Sequence, residues 1–196
     1  LRLETLQSGR YHLRFQVRSA LIEATEGDRV VYAARKNRRE QDWLRLPVSG
    51  ITLDDARAYV AWLDRSGAVP GARLCSGAEW ERAARGADER EFPHGETLEP
   101  SEANFDETYG KGSPSMGPDE VGSHPASRSP FGVDDLAGNI LEWVSSSLVP
   151  GEVVVRGGAY FYDSLAARVD NRTVLERTFA DAAVGLRVCA SFPPSR

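Results

Sequence analysis

Thiols and long apolar runs are both scarce in this sequence. Only two cysteines, Cys75 and Cys189, occur among 196 residues, and neither has the close spacing of a zinc or redox motif. We therefore expect both to be small buried hydrophobic side chains and not part of a disulfide framework. No apolar run approaches the ~20 residues that a membrane-crossing helix needs, so we expect no membrane span in this chain.

The charge is neither large nor concentrated. The formal net charge is −5, and basic and acidic residues are interspersed. Because phosphate binding needs a concentrated basic surface, this balance argues against a nucleic-acid partner. One short basic run, Arg35, Lys36, Arg38 and Arg39, is interpreted as a solvated loop.

The length of the chain predicts a single domain over residues 1–196. Residues 1–45 are expected to form N-terminal strands, and residues 46–190 the core of the domain. No signal-peptide pattern opens the sequence. Because residue 1 is leucine and not methionine, we interpret the chain as the C-terminal part of a longer protein.

Hydrophobic periodicity predicts strands first and two helices next. Apolar residues alternate with polar ones from Tyr11 to Val17, as in a half-buried strand. Thr52 followed by Asp55 marks the start of one helix, and Ser76 followed by Glu79 forms the capping box of a second. We expect the four tryptophans to be core residues; they are Trp43, Trp62, Trp80 and Trp143.

After the second helix the chain is rich in turn residues from Gly86 to Gly138. Three extended pieces follow, at residues 141–145, 153–162 and 185–190. The order of elements is therefore strands, two helices, a long irregular segment and strands again. Such segregation predicts the α+β class and argues against alternating βαβ units.

Six segments in chain order resemble the motifs of the formylglycine-generating enzyme family. They are PVSGITLDDARAYVAWL from Pro47, ARLCSGAEWERAARG from Ala72, FPHGE from Phe92, VGSHPASRSPFGVDDLAGNILEWV from Val121, VRGGAY from Val155 and GLRV from Gly185. The resemblance implies a C-type-lectin-like fold of α+β class, with two helices, short antiparallel sheets and much irregular loop.

The chain departs from that family at the residues that carry catalysis. The family's oxidases use copper and two thiols placed shortly after the RGG segment, and soft thiolates are the ligands that Cu(I) selects. Here residues 159–168 hold no cysteine. A second catalytic branch uses a three-histidine iron site, but His12, His94 and His124 lack ligand spacing and are interpreted as polar surface residues. We therefore predict that the chain is not an enzyme.

The segment between the RGG and GLR motifs instead resembles the variable proteins of diversity-generating retroelements. In those proteins asparagine codons are randomised at their adenines, which can yield Tyr, Phe, Asp, Ser, Leu, Ala, Val or Thr but not Lys, Gln, Glu, Met or Trp. From Tyr160 to Val184, Glu176 is the one residue of the excluded set. The segment also follows neither a 2-residue nor a 3.6-residue period, as expected of a loop that displays side chains to a ligand. We call residues 160–184 the display loop.

The function predicted is therefore receptor-like binding of a protein or other macromolecular ligand by a diversified surface. We expect Arg156, Asn171 and Arg172 to tie the loop through its carbonyls. Two alternatives stay open: a non-catalytic accessory module of the family, or an enzyme with unrecognised chemistry. The candidate ligand-binding residues are Tyr162, Asp163, Ser164, Leu165, Thr173, Leu175, Phe179, Asp181 and Ala182.

No cofactor is expected apart from a possible structural calcium ion. The resemblance implies that Ca²⁺ would be held by the side chain of Asp135, the carbonyls of Gly138 and Ile140, and the carboxylate of Glu142. Oxygen-only ligation suits Ca²⁺. The alternative is that Asp135 caps a turn and Glu142 pairs with an arginine.

Overall fold

The computed structural model describes residues 1–17, 20–111, 115–145 and 152–191, so residues 112–114 of the turn-rich stretch lie outside it. Within these ranges there are two α-helices, α1 (Leu53–Arg65) and α2 (Gly77–Arg85). The strands are β1 (Arg2–Thr5), β2 (Tyr11–Val17), β3 (Ala20–Thr25), β4 (Val30–Val31), β5 (Glu40–Gln41), β6 (Ala72–Leu74), β7 (Leu141–Trp143), β8 (Val154–Arg156), β9 (Thr173–Val174), β10 (Val184–Leu186) and β11 (Val188–Ala190).

The first three strands form an antiparallel sheet in the order β1-β2-β3. The alternation predicted for β2 is confirmed, since Leu13, Phe15 and Val17 are buried while the polar residues between them are not. Tyr11, at the start of the strand, is exposed. The sheet therefore buries one face against the core and leaves the other to solvent, as the period of two requires.

Both helices begin at the predicted caps, and the capping box predicted for α2 is also present at α1. Thr52 and Asp55 bond reciprocally at the start of α1, and Ser76 and Glu79 do so at the start of α2. Gly86, at φ 74°, ends α2 in a conformation that favours glycine.

The core prediction for the tryptophans is confirmed for Trp80 and Trp143, which are both buried. It is wrong for Trp62, which is 53% exposed and stacks on exposed Tyr59 at 5.9 Å. Trp43 is half-buried and packs against the main core cluster.

A four-stranded sheet in the order β10-β7-β8-β9 carries the C-terminal half of the chain. Its β7–β8 and β8–β9 pairs are antiparallel, whereas β10 runs parallel to β7. A separate antiparallel pair joins β11 to β6. β10 pairs with β7 and β11 pairs with β6. The chain that follows the display loop is therefore hydrogen-bonded to two different sheets.

The two cysteines form a disulfide, Cys75–Cys189, across 114 residues of sequence. The expectation of two independent buried thiols is therefore wrong. Cys189 belongs to β11 and Cys75 directly follows β6, so the covalent bond closes the same strand pair that the backbone hydrogen bonds close. A pairing over this separation has no local spacing signal in the sequence.

A buried polar network links the N-terminal half to the irregular segment. Arg35 is buried and not a solvated loop residue: its Nη1 donates to Asp119 Oδ1 at 2.5 Å, and its guanidinium lies between the rings of Tyr32 and Tyr109. His124 is also buried and not at the surface, with Nε2 2.7 Å from Asp119 Oδ2. Burial opposes ionisation of Asp119, but His124, Arg35 and Tyr109 outweigh it and lower its pKa.

Candidate ligand-binding surface

The RGG motif turns the chain sharply from β8 into the candidate surface. Gly157 and Gly158 both have positive φ, at 99° and 72°. A Cβ at Gly158 would lie 2.9 Å from the Cα of Ala167, and one at Gly157 would lie 3.2 Å from the Trp80 ring. These close approaches require glycine, and they hold the start of the loop against the residues that follow it.

Side-chain ties fix the return of the loop, as predicted for Arg156 and Asn171. Arg156 Nη1 donates to the carbonyls of Val169 at 3.1 Å and Asn171 at 3.4 Å. Asn171 Nδ2 donates to the carbonyl of Ala166 at 3.1 Å. Arg172 instead lies 4.0 Å from a carboxylate oxygen of Glu152, so it forms an ion pair and not the predicted carbonyl tie.

The predicted binding residues differ in their exposure. Tyr162, Leu165 and Phe179 are 37%, 65% and 42% exposed, although all three are large and apolar or aromatic. The acidic side chains of Asp163 and Asp181 are exposed as well, whereas Ser164, Thr173 and Leu175 are half-buried. Ala182 is 6% exposed and belongs to the core, so its side chain does not form part of an exposed surface.

Strand alternation in β9 explains one residue that the sequence did not indicate. Leu175 packs against the main core cluster, and Val174 before it is 55% exposed. Because successive side chains of a strand point to opposite faces, the outward position is Val174. A clear period of two would have identified it, but β9 is only two residues long. We call the exposed side chains of Tyr162, Asp163, Leu165, Val174, Phe179 and Asp181 the display surface.

The backbone beneath the display surface is held by main-chain hydrogen bonds. The Tyr162 carbonyl accepts from Asp106 N at 2.9 Å, and the Asp181 carbonyl accepts from Gly50 N at 2.9 Å. Leu175 N donates to the Val153 carbonyl at 2.9 Å. These bonds use atoms that every residue other than proline supplies, so they survive replacement of the side chains above them.

Two separate parts of the loop contribute to the main core cluster, which includes the buried Tyr160. Tyr160 and Ala182 lie in the same core cluster, against which Phe161 and Leu175 pack. Burial raises the pKa of the Tyr160 hydroxyl, and the nearby Asp181 carboxylate raises it further. The ring of Phe161 packs at a tilt against that of Tyr162, with the ring centres 4.3 Å apart. The segments around residues 162 and 181 therefore lie over one core cluster.

The turn predicted to hold calcium is occupied by an arginine. Arg187 binds Glu142 through two bonds, Nη2 to Oε1 at 2.6 Å and Nε to Oε2 at 2.9 Å. Trp80 Nε1 also donates to Glu142 Oε2, at 2.6 Å. Arg187 Nη2 further contacts the carbonyls of Asp134 and Asp135.

Asp135 itself adopts φ 57° and accepts the Gly122 amide at 2.7 Å through Oδ2, which caps a turn. Both Glu142 oxygens thus already have partners, and as arranged the donor set does not fit a divalent cation beside the guanidinium. Across the described ranges, no group of three or more His, Cys, Asp or Glu side chains is placed to hold a metal ion. Binding of the expected calcium ion at this turn would require Arg187 to leave Glu142.

The two helices, the short strands and the long irregular connections define a C-type-lectin-like fold of the α+β class. The family profile described as the sulfatase-modifying factor enzyme 1-like domain matches residues 9–192. The chain belongs to this family, as its motifs indicated.

Similar proteins in the family differ in what they do. The chain is 35% identical over 108 residues to hercynine oxygenase of Mycolicibacterium smegmatis, covering 53% of this chain and 22% of that protein. It is 31% identical over 137 residues to inactive C-alpha-formylglycine-generating enzyme 2 of Mus musculus, covering 66% and 42%. The chain thus spans less than half of either relative, and one of the two carries a name that declares it inactive.

A solved structure, Treponema denticola variable protein 1, superposes over 90% of this chain and 98% of its own, with a TM-score of 0.63 and 14% identity. At that identity the likeness establishes the fold. No helix in the part of the chain that the structure describes is long and apolar enough to cross a membrane.

Proposed function

We propose that this chain is a non-catalytic binding domain that presents the display surface to a protein or other macromolecular ligand. The observation that carries the proposal is the separation of roles within the segment. The side chains of the display surface point outward, while main-chain bonds and the ties from Arg156 and Asn171 hold the backbone beneath them. Such an arrangement lets side chains vary without loss of the fold.

The chemistry of the display surface suits recognition. Tyr162 and Phe179 offer broad rigid contact with few rotors to immobilise, and Leu165 and Val174 add apolar area. Asp163 and Asp181 supply charged acceptors beside them. Exposed aromatic and apolar side chains on one loop are typical of an interaction site.

The state of the cysteines supports the non-catalytic half of the proposal. An oxidase of the kind that the motifs resemble needs two thiolates, and the two cysteines of this sequence are both consumed by the Cys75–Cys189 disulfide. Membership of the family does not decide the question, since its members include an oxygenase and a protein named inactive.

A library experiment tests the binding role. The six positions of the display surface are randomised on the whole chain, and variants are selected against an unrelated purified protein. The matched control randomises six exposed positions on the N-terminal strands and the α1 face, namely Leu3, Tyr11, Leu21, Val31, Tyr59 and Trp62. We expect folded, specific binders from the first library at a clearly higher frequency than from the second. Equal frequencies would contradict the proposal.

Two further observations separate the alternatives. A near-copy of the DNA for residues 156–188, differing only at adenines and lying beside a reverse transcriptase gene, would establish diversification. Without it the chain is an accessory module with a fixed surface. Incubation with copper and a cysteine-containing peptide tests the enzymatic alternative, and we expect mass spectrometry to show an unchanged peptide.

A further inference from the structure

A cavity beside the C-terminal end of α2 concentrates positive charge. Its volume is about 440 Å³, and its lining includes Arg82 and Arg85 from α2 and Arg156 from the end of β8. Glu81 and Asp88 are the acidic residues of the lining. Asp88 is already paired with Arg90, at 2.5 and 2.6 Å, so Glu81 is left to balance three guanidinium groups.

The carboxylate of Glu81 is shared between Arg156 and Arg85. Glu81 lies 3.1 Å from Arg156 Nη2 and 3.5 Å from Arg85 Nη2. Burial lowers the pKa of Arg156; Glu81 opposes this effect, while Arg172 and Arg85 add to it.

Two donors of this cavity lack partners. The Nε atoms of Arg85 and Arg156 are buried and have no hydrogen-bond partner among the described residues. The Arg156 side chain is only 4% exposed, and a buried charged donor without a partner is costly. Apart from its ion pair with Glu81, the Arg85 guanidinium donates no hydrogen bond within the described ranges.

We propose that this cavity, which we call the arginine pocket, binds a small dianionic oxyanion of the phosphate or phosphate-monoester class. Three guanidinium groups against the shared carboxylate of Glu81 leave a net charge of about +2, which a dianion neutralises. Guanidinium forks match the oxygens of phosphate and bind them through paired hydrogen bonds. Arg85 and exposed Arg82 supply donors, although Arg82 Nη1 already donates to the Gly86 carbonyl at 2.6 Å. Buried Arg156 supplies charge.

The arginine pocket is distinct from the display surface but is connected to it. Arg156 lines the pocket with one side of its guanidinium and holds the carbonyls of Val169 and Asn171 with another. An anion in the pocket would therefore lie beside the same guanidinium that holds these two carbonyls. The pocket does not depend on whether the display surface is diversified.

Titration of the whole chain with inorganic phosphate, followed by calorimetry and by the thermal midpoint, tests the proposal. Chloride at matched ionic strength controls for screening. Phosphate also stabilises proteins by exclusion from their surface, but that effect is not saturable and acts on all variants alike. The variants are Arg85→Gln and, on the exposed rim, Arg82→Gln. Arg65→Gln, an exposed arginine of the last turn of α1, is the matched control.

We expect saturable phosphate binding by the wild type and by Arg65→Gln, and at least about tenfold weaker binding by Arg85→Gln. Arg82→Gln gives the same comparison if Arg85→Gln does not fold. Equal phosphate responses in all variants, or none beyond chloride, would overturn the proposal. A response to malonate without one to phosphate would overturn the assignment to the phosphate class.

Discussion

Arg187 donates one hydrogen bond to each oxygen of the Glu142 carboxylate, at 2.6 and 2.9 Å. Glu142 is buried in β7, and Arg187 lies between β10 and β11. This pair therefore joins the chain after the loop to an inner strand of the four-stranded sheet. The guanidinium occupies the place where the family resemblance implies calcium.

The variant Arg187→Ala should therefore lose about 3 kcal/mol of unfolding free energy, because it leaves Glu142 buried without its cation. Arg128→Ala, which removes an exposed pair with Asp134, is the control and should lose at most about 1 kcal/mol. Urea denaturation measures both. A loss no larger than that of the control would mean that the pair contributes little.

Calcium should leave the thermal midpoint of the wild type unchanged, and chelation by EGTA should do the same. The reason is that a divalent ion would have to displace Arg187 from Glu142. Differential scanning fluorimetry with and without calcium measures this. A saturable rise in the midpoint would instead favour calcium ligation by Asp135, Gly138, Ile140 and Glu142.

The display surface should tolerate substitution. Tyr162→Ser, Leu165→Ser and Phe179→Ser should each change the unfolding free energy by no more than about 0.5 kcal/mol, because their backbone ties are main-chain bonds. Ala182→Asp, in the same segment, should cost more than about 2 kcal/mol because it buries a charge. Similar losses at all four positions would show that the exposed residues are part of the scaffold.

Reduction of the Cys75–Cys189 disulfide should destabilise the domain by about 2–5 kcal/mol, since the bond closes a long loop in the unfolded chain. Denaturation with and without dithiothreitol gives the difference. The double variant Cys75→Ala/Cys189→Ala should be insensitive to the reductant. Titration of two free thiols in the native wild-type protein would contradict the assignment.

The carboxylate of Glu79, which caps α2, should make the unfolding free energy of the domain depend on pH in the acid range. Hydrogen bonds from the Arg73 guanidinium, and to a lesser extent from the Ser76 backbone N–H, lower the pKa of Glu79 from 4.5 to about 2. A folded-state pKa below the unfolded one means that its contribution is present above pH 4.5 and is lost as pH falls towards 2.

The stability difference between the wild type and Glu79→Gln should therefore shrink over that window, as measured by urea midpoints at several pH values. Because Glu79 is 45% exposed, solvent screening keeps the effect small. Glu89→Gln, in the loop after α2, is the control. A difference that stays constant with pH would show that the ion pair with Arg73 does not exist in solution.

Much of the local structure could be predicted from the sequence. The capping residues at Thr52 and Ser76 act over three positions, and the alternation of β2 is a property of the strand itself. The motifs around residues 156–158 and 185–188 likewise identified the family and the segment between them. Exposure along that segment was predicted less well, since Ala182 is buried and Val174 faces outward.

The sequence by itself determined what depends on neighbours along the chain, namely the helix starts and the strand faces. It also showed the order of the motifs and the absence of cysteine from residues 159–168, directly after the RGG motif. Only the tertiary structure decided the Cys75–Cys189 bond, the burial of Arg35 on Asp119 and the pairing of Arg187 with Glu142. Each of these joins residues 45 to 114 positions apart. Their formation depends on how whole elements pack, and no short-range pattern in the sequence encodes that packing.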